Sequence, residues 1–219
     1  MSNPLCDQLA ELARLDPNRK VFGAAKHGYQ CTRADHSDLL NLETALGTAL
    51  PVEYRRFLLE VGYGAGPYYG IWNPAESLAE LQSLAQDYEA EEGRPVRTTD
   101  AFPLSRNDAD TFDETVGSDG GPVAIESEWP CGGCLPICHH GCTFWSVLVL
   151  RGEFVGRIWD VACFVGYSGE WAPGRRAPGW WEFGMPHPRK LPRLPSPPTF
   201  EEWYRGWIER CLTDLSERP

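Results

Sequence analysis

Cysteine and histidine side chains crowd into one short stretch of the sequence, residues 131–142. It supplies four thiols and two imidazoles: Cys131, Cys134, Cys138, Cys142, His139 and His140. Thiolates and imidazoles are the ligands that tetrahedral zinc prefers, so one interpretation is a small zinc-binding or redox domain that uses the four cysteines. However, a strand over residues 135–139 would point Cys138 and His139 to opposite faces. We therefore predict no cofactor, with zinc as the alternative.

The same stretch pairs a potential cysteine nucleophile with a histidine base. A working active site also needs a group that orients the base and donors that stabilise an oxyanion. Neither is found at a recognisable spacing, and the glycines at 62–66 lack the Lys-Ser/Thr of a phosphate-binding loop. We therefore predict that the protein is not an enzyme.

The net charge of the chain is concentrated in its middle. Residues 76–128 contain 14 Asp and Glu against three arginines, a balance of −11, and the rest of the chain is neutral. A negative field of this kind repels nucleic acid and anionic lipid and attracts basic protein surfaces. The composition therefore predicts a protein partner with a basic surface, and neither direct nucleic-acid binding nor membrane binding.

Clustered carboxylates speed and orient the encounter with a basic partner, and aromatic side chains supply desolvated anchors. We predict a partner-binding site made of acids from the middle segment and aromatic residues from the glycine-rich turn before it. These residues are Asp87, Glu89, Glu91, Glu92, Asp108, Asp110, Asp113, Glu114, Tyr68, Tyr69 and Trp72.

Apolar periodicity and capping residues predict four helices in the first half of the chain. The first covers residues 4–15 behind Asn3, and the second begins at Ser37 and ends at Gly47. The third begins at Pro51, which occupies the first helical position, and it ends in glycines 62, 64 and 66, which permit a turn with positive φ. The fourth, over residues 75–92, has one strongly acidic face and ends at Gly93.

The second half of the chain predicts strands and a closing helix. Strands are expected over residues 122–127, 135–139 and 143–150, with a hairpin loop at 151–153 and a returning strand over 154–160. Residues 161–167 extend this meander, and the proline- and tryptophan-rich residues 168–198 form an ordered strap. Thr199 and Glu202 form a capping box for the last helix.

This order predicts a single α+β domain over residues 1–219. Its parts are N-terminal helices (1–72), an acidic helix and loop (73–121), a mainly antiparallel mixed sheet meander (122–167), the strap (168–198) and a C-terminal helix packed on the sheet (199–216).

Three stretches of the sequence resemble the SUKH superfamily, which comprises bacterial toxin-immunity proteins related to a fungal cell-wall-synthesis regulator. They are LPVEYRRFLLEVG with its glycine turn and YYGI, LPICHHGC running into WSVLVLRGEFVGRIWD, and the closing TFEEWYRGWIE. The resemblance implies a non-catalytic protein that binds and neutralises a cognate toxin. It also leaves open a cytosolic regulatory scaffold, and it implies that the HHGC piece is a strand–turn element.

The N-terminus has no basic-then-apolar signal profile, and no apolar run is long enough to cross a bilayer. Together with eight cysteines in a chain of this size, these features predict a cytoplasmic protein with reduced thiols. The oligomeric state and the identity of the toxin are left open.

Overall fold

A computed structural model describes residues 3–93, 95, 99–105, 125–128, 132–141, 144–163, 168–173 and 197–217. Within these residues the helices are α1 Pro4–Leu15, α2 Ala24–His27, α3 His36–Leu46, α4 Val52–Glu60, α5 Pro74–Glu92 and α6 Phe200–Ser216. The strands are β1 Cys31–Thr32, β2 Tyr63–Gly64, β3 Ile125–Glu128, β4 Cys134–Gly141, β5 Phe144–Val149, β6 Ile158–Cys163 and β7 Ser168–Pro173. In this part of the chain no helix combines the length and apolar character needed to cross a membrane.

The main sheet has the strand order β3-β7-β6-β5-β4, and every neighbouring pair is antiparallel. The short ribbon of β1 and β2 joins this sheet through Ile71, which forms bridges to Gly64 of β2 and Cys138 of β4. The predicted antiparallel meander is therefore confirmed, because β4, β5, β6 and β7 pair in chain order.

Local capping chemistry fixes most helix boundaries. Asn3 caps α1 by accepting from the N–H of Leu5. The cap of α3 is Asp35 and not the predicted Ser37, because one Asp35 carboxylate oxygen accepts both the Asp38 N–H and the Ser37 hydroxyl. A charged acceptor binds an N–H more strongly than a hydroxyl does, and this places the helix start two residues earlier.

The glycine turn after α4 differs from its predicted form at one glycine. Gly62 and Gly64 have positive φ as expected, whereas Gly66 does not, and Gly70 takes that role instead. Pro51 caps α4 from outside the helix rather than occupying its first position. We call residues 62–70 the glycine corner.

Two predicted boundaries in the sheet are wrong. The loop between β5 and β6 covers residues 150–157 rather than 151–153, because the chain turns at Phe154–Arg157 and β6 begins only at Ile158. The predicted strap also begins with β7, which pairs with both β6 and β3. Residues 174–196 of the strap lie outside the described residues.

The last helix confirms its predicted capping box and buried stripe. α6 contacts α1 and α4, and the Tyr204 hydroxyl donates to the carbonyl of Ala65, directly after β2. Phe57 of α4 packs between Phe200 and Tyr204 with ring centroids 4.8 and 4.6 Å away. The predicted α+β class, with a C-terminal helix closing the sheet, is confirmed.

We predict that Gly62→Ala costs about 3 kcal/mol of unfolding free energy or more. At its φ of +110° an added Cβ would overlap the Thr32 carbonyl, so β1 and β2 would separate. Gly93→Ala is the control, because it also has positive φ (+66°) but open space around it, and should cost about 1 kcal/mol. Urea unfolding of both variants measures the difference, and equal losses would contradict the close approach at Gly62.

Candidate functional site

Three polar side chains form a buried hydrogen-bonded chain across β4, β5 and β6. Ser146 stands directly opposite Asp160 in the sheet and donates to its carboxylate at 2.6 Å. His140 Nε2 lies 2.8 Å from the same hydroxyl oxygen. Because the serine proton goes to Asp160, His140 is the donor through Nε2–H. Burial holds the pKa of His140 well below its usual range, with His139 adding to the effect, so the imidazole is neutral.

The three hydrogen-bonded side chains are the residue types of a Ser-His-Asp triad, but their hydrogen bonds connect them in a different order. In a triad the histidine lies between the carboxylate and the serine and takes the serine proton. Here Ser146 lies in the middle and gives its proton to Asp160. Ser146 and Asp160 are also 0% and 1% exposed, and the Tyr68 ring covers His140. The arrangement is therefore a structural element of the core rather than a nucleophilic site.

The glycine corner is fixed onto β4 immediately above this polar chain. The Cys138 thiol donates to the carbonyl of Pro67 at 3.1 Å, and the Trp72 N–H donates to the carbonyl of Ile137 at 2.9 Å. The Tyr68 ring stacks on His140 with centroids 3.4 Å apart. Tyr68 has a positive φ of 54°, a strained conformation for a non-glycine residue. The stack and the hydrogen bonds hold it there.

A row of three near-parallel rings lies on the outer side of this corner: Tyr69, His139 and Trp72. We call it the ring row. Tyr69 and Trp72 lie 6.4 and 6.2 Å from His139 between centroids, with interplanar angles of 25° and 16°. All three side chains are half-buried. The row is therefore an aromatic surface that a partner can reach, held by backbone hydrogen bonds on both sides.

Carboxylates of α5 border the ring row. Glu76, Glu80 and Asp87 are four and seven residues apart, a spacing that places them along one flank of the helix. We call this the acidic flank. Glu80 accepts a 2.8 Å hydrogen bond from the Trp145 indole, whose ring lies 5.4 Å from His139. The buried Trp145 ring therefore connects Glu80 of the acidic flank with His139 of the ring row, so the two features are neighbours.

Comparison with known proteins agrees with the resemblance in the sequence. Residues 33–183, more than half of the chain, match the profile of the SMI1 / KNR4 family (SUKH-1). The chain belongs to this family. No curated protein and no solved structure matches it. The matched span contains the glycine corner, the ring row and α5.

Only some of the predicted partner-binding residues of this SUKH-1 domain lie on the surface just described. Tyr69, Trp72 and Asp87 belong to the surface just described, whereas Tyr68 is buried beneath it. Glu89 is exposed but lies about 200° around α5 from Asp87. The backbones of Glu91 and Glu92 belong to α5. Four predicted acids lie outside the described residues: Asp108, Asp110, Asp113 and Glu114.

The predicted metal ligands are only partly described. Cys134 and Cys138 are buried in β4, while Cys131 and Cys142 lie outside the described residues. Burial and the nearby Asp160 raise the pKa of the Cys138 thiol well above its usual value, so this thiol stays protonated and bonded to Pro67. Among the described residues, no three His, Cys, Asp or Glu side chains are grouped as metal ligands. The absence of a cofactor, with zinc as the alternative, therefore stays a prediction.

Sequence reasoning missed Glu80 and His139 as parts of this surface, and it missed the buried residues that support it: Trp145, Ser146 and Asp160. A signal existed for the last two, because each is the one polar residue inside an apolar stretch, WSVLVL for Ser146 and IWDVAC for Asp160. A polar side chain predicted to be buried must find a hydrogen-bond partner.

We predict that Ser146→Ala destabilises the protein by about 2–3 kcal/mol, because it leaves the His140 N–H without its acceptor and removes a donor from Asp160. Ser216→Ala is the matched control, since its exposed hydroxyl bonds only a carbonyl at the end of α6, and it should change stability by less than about 0.5 kcal/mol. Chemical denaturation checks both. Equal effects would contradict a structural role for the polar chain.

A second buried histidine makes stability depend on pH. His27 packs against Gly70 of the glycine corner, and burial, with the charge of Arg19, lowers its pKa from 6.5 to about 4. Between these values the unfolded chain binds a proton that the folded chain does not, so stability is full above pH 6.5 and falls as the pH drops toward 4.

Between pH 7 and 4, we expect the free energy of unfolding to fall by about 2 kcal/mol less in His27→Gln than in the wild type. The measurement is the free energy of unfolding from urea titrations at several pH values between 7 and 4. His36→Gln is the control, because His36 is exposed on α3. If the unfolding free energies of the wild type and His27→Gln fall in parallel as the pH drops, His27 is not the titrating group.

Proposed function

We propose that this SUKH-1 domain is a non-catalytic immunity protein that binds a cognate bacterial toxin and blocks its working surface. The observation that carries the proposal is the surface on which the acidic flank and the ring row are neighbours. It combines carboxylates, which attract a basic partner, with half-buried aromatic rings, which anchor it. Family membership supports a protein partner, and the buried Ser146 supports a non-catalytic role.

The charge distribution supports a basic surface on the toxin, such as one that normally contacts nucleic acid. The excess charge of −11 lies within residues 76–128, and α5 carries six of those acids. Asp87 and Glu89 are exposed on it. A field of this strength raises the rate of encounter with a cationic protein and orients the two molecules, and the effect declines with added salt.

The rigidity of the surface supports blocking by shape. Tyr69 and Trp72 are on a segment that is hydrogen-bonded to β4 at the His139 and Ile137 carbonyls. A surface that is already ordered loses little conformational entropy when the toxin binds, so more of the contact energy appears as affinity. A protein of this kind neutralises the toxin by occupying its surface and needs no chemical step.

The proposal expects the gene immediately upstream to encode a secreted protein with a C-terminal effector domain, and the test uses that domain. We expect co-expression of the chain to restore the growth of cells that produce this domain, and we expect Asp87→Lys with Glu89→Lys to slow association about tenfold at low salt. Stopped-flow fluorescence measures the association rate, and the difference between wild type and variant should shrink at high salt.

Glu209→Lys with Asp214→Lys is the matched control, because it changes the net charge equally at exposed positions of α6. An unchanged association rate for the α5 variant, or an equal loss for the α6 control, would rule out steering by α5. Failure to bind or neutralise the upstream domain would instead favour a regulatory scaffold with another partner.

A further inference from the structure

We propose that the Trp72 end of the ring row is a subsite for an arginine side chain of the partner protein, whose guanidinium stacks on the indole and pairs with the acidic flank. This inference deepens the proposed function and rests on it, since it names the chemical group that the same surface recognises. It commits to a guanidinium rather than to a general positive charge.

The geometry of the rings leaves faces for a partner to contact. A direct stack places two centroids close together, as in Tyr68 and His140 at 3.4 Å. The centroids within the ring row are more than 6 Å apart although the planes are nearly parallel. At this distance the rings are not in direct face-to-face contact. Tyr69 and His139 each have a second ring neighbour, Phe22 at 5.2 Å and Trp145 at 5.4 Å, whereas His139 is the ring neighbour of Trp72 among the described residues. A planar guanidinium is suited to stacking on an aromatic face.

The other end of the row already holds a cation. The Lys26 ammonium lies 5.4 Å from the centroid of Tyr69, within the range of a cation–π interaction. The Tyr69 end therefore already has a cation from the chain itself. Among the residues that the structure describes, no lysine or arginine lies over the half-buried Trp72 ring, so we assign the partner's cation to that end. Tryptophan is also the ring to which cations bind most strongly.

Carboxylates lie beside the Trp72 end. Glu76 is four residues beyond Trp72 and bonds the N–H of Asn73 in the capping box of α5. Glu80 bonds the Trp145 indole through one oxygen, and a carboxylate can accept further hydrogen bonds on the other. The capping box also occupies N–H donors at the start of α5, so an incoming cation meets carboxylates rather than bare donors.

Two other ligands fit this surface less well. A nucleobase could stack on the rings, but its phosphates would face the acidic flank and be repelled. A lysine ammonium would satisfy the charge, yet it is a compact, strongly hydrated point charge that gains less from the ring faces than a guanidinium does. Planar rings together with carboxylates therefore favour arginine.

The experiment compares two short peptides, acetylated and amidated, in which glycine alternates with either arginine or lysine. Isothermal titration at low salt with the full chain should show about fivefold tighter binding of the arginine peptide. In proton NMR spectra of the wild-type mixture, the arginine Cδ protons should shift upfield through the ring current of the aromatic faces. Equal affinities for the two peptides, or no upfield shift, overturn the proposal.

The variant that tests the site is Trp72→Leu, with Tyr63→Leu as the matched control. Tyr63 is a half-buried aromatic residue in β2, outside the ring row. We expect Trp72→Leu to abolish the preference for arginine while lysine-peptide binding stays nearly unchanged, and Tyr63→Leu to keep the preference. Should Trp72→Leu fail to fold, the wild-type NMR shift decides.

These outcomes separate the two proposals. If Asp87→Lys with Glu89→Lys still slows association with the toxin but Trp72→Leu leaves the arginine preference intact, the arginine subsite is wrong and the proposed function stands. If the toxin is not bound while the arginine peptide is preferred through Trp72, the subsite stands and the proposed function fails.

Discussion

The surface of this domain depends on one buried interaction, the hydrogen-bonded chain from His140 through Ser146 to Asp160. Burying these polar groups is favourable only when each is paired, and the register of β4, β5 and β6 brings them together. The neutral imidazole then provides a flat face for Tyr68, whose positive φ turns the glycine corner back over β4. Tyr69 and Trp72 are positioned by this turn, so the exposed rings depend on the core beneath them.

The sheet and the acidic segment have separate roles in this fold. β4 and β5 are buried along most of their length and make the rigid platform. α5 lies on β4 with Leu81 and Tyr88 buried, and its remaining sides carry the acids. Repulsion among those carboxylates acts on a solvated helix face, where it is screened, rather than within the core. A strongly negative segment can therefore be carried by an otherwise neutral and well-packed chain.

The features that sequence predicted correctly are those decided by neighbouring residues. Asn3 and Thr199 cap their helices through groups within three positions, and Gly62 ends α4 because a left-handed residue is needed there. Predictions failed where neighbouring groups compete for one role or where groups distant in sequence meet. Ser37 and Asp35 are both acceptable caps, and the charged carboxylate is the stronger acceptor, so Asp35 binds the Asp38 N–H. Residue type alone suggested three equivalent aromatic anchors, but the backbone of Tyr68 points its ring inward.

On the proposed function, affinity and association rate would be governed by different parts of the surface. Long-range charge needs no exact placement, so acids on several sides of α5 can all speed encounter, including Glu89 on a different face from Asp87. Stacking on a ring falls away within a few ångströms, so the recognition of a side chain depends on the placement of Trp72 by its hydrogen bond to the Ile137 carbonyl. On this proposal, substitutions on α5 should change how fast a partner associates without changing which partner is bound. Substitutions in the glycine corner should change which partner is bound, because they move the rings.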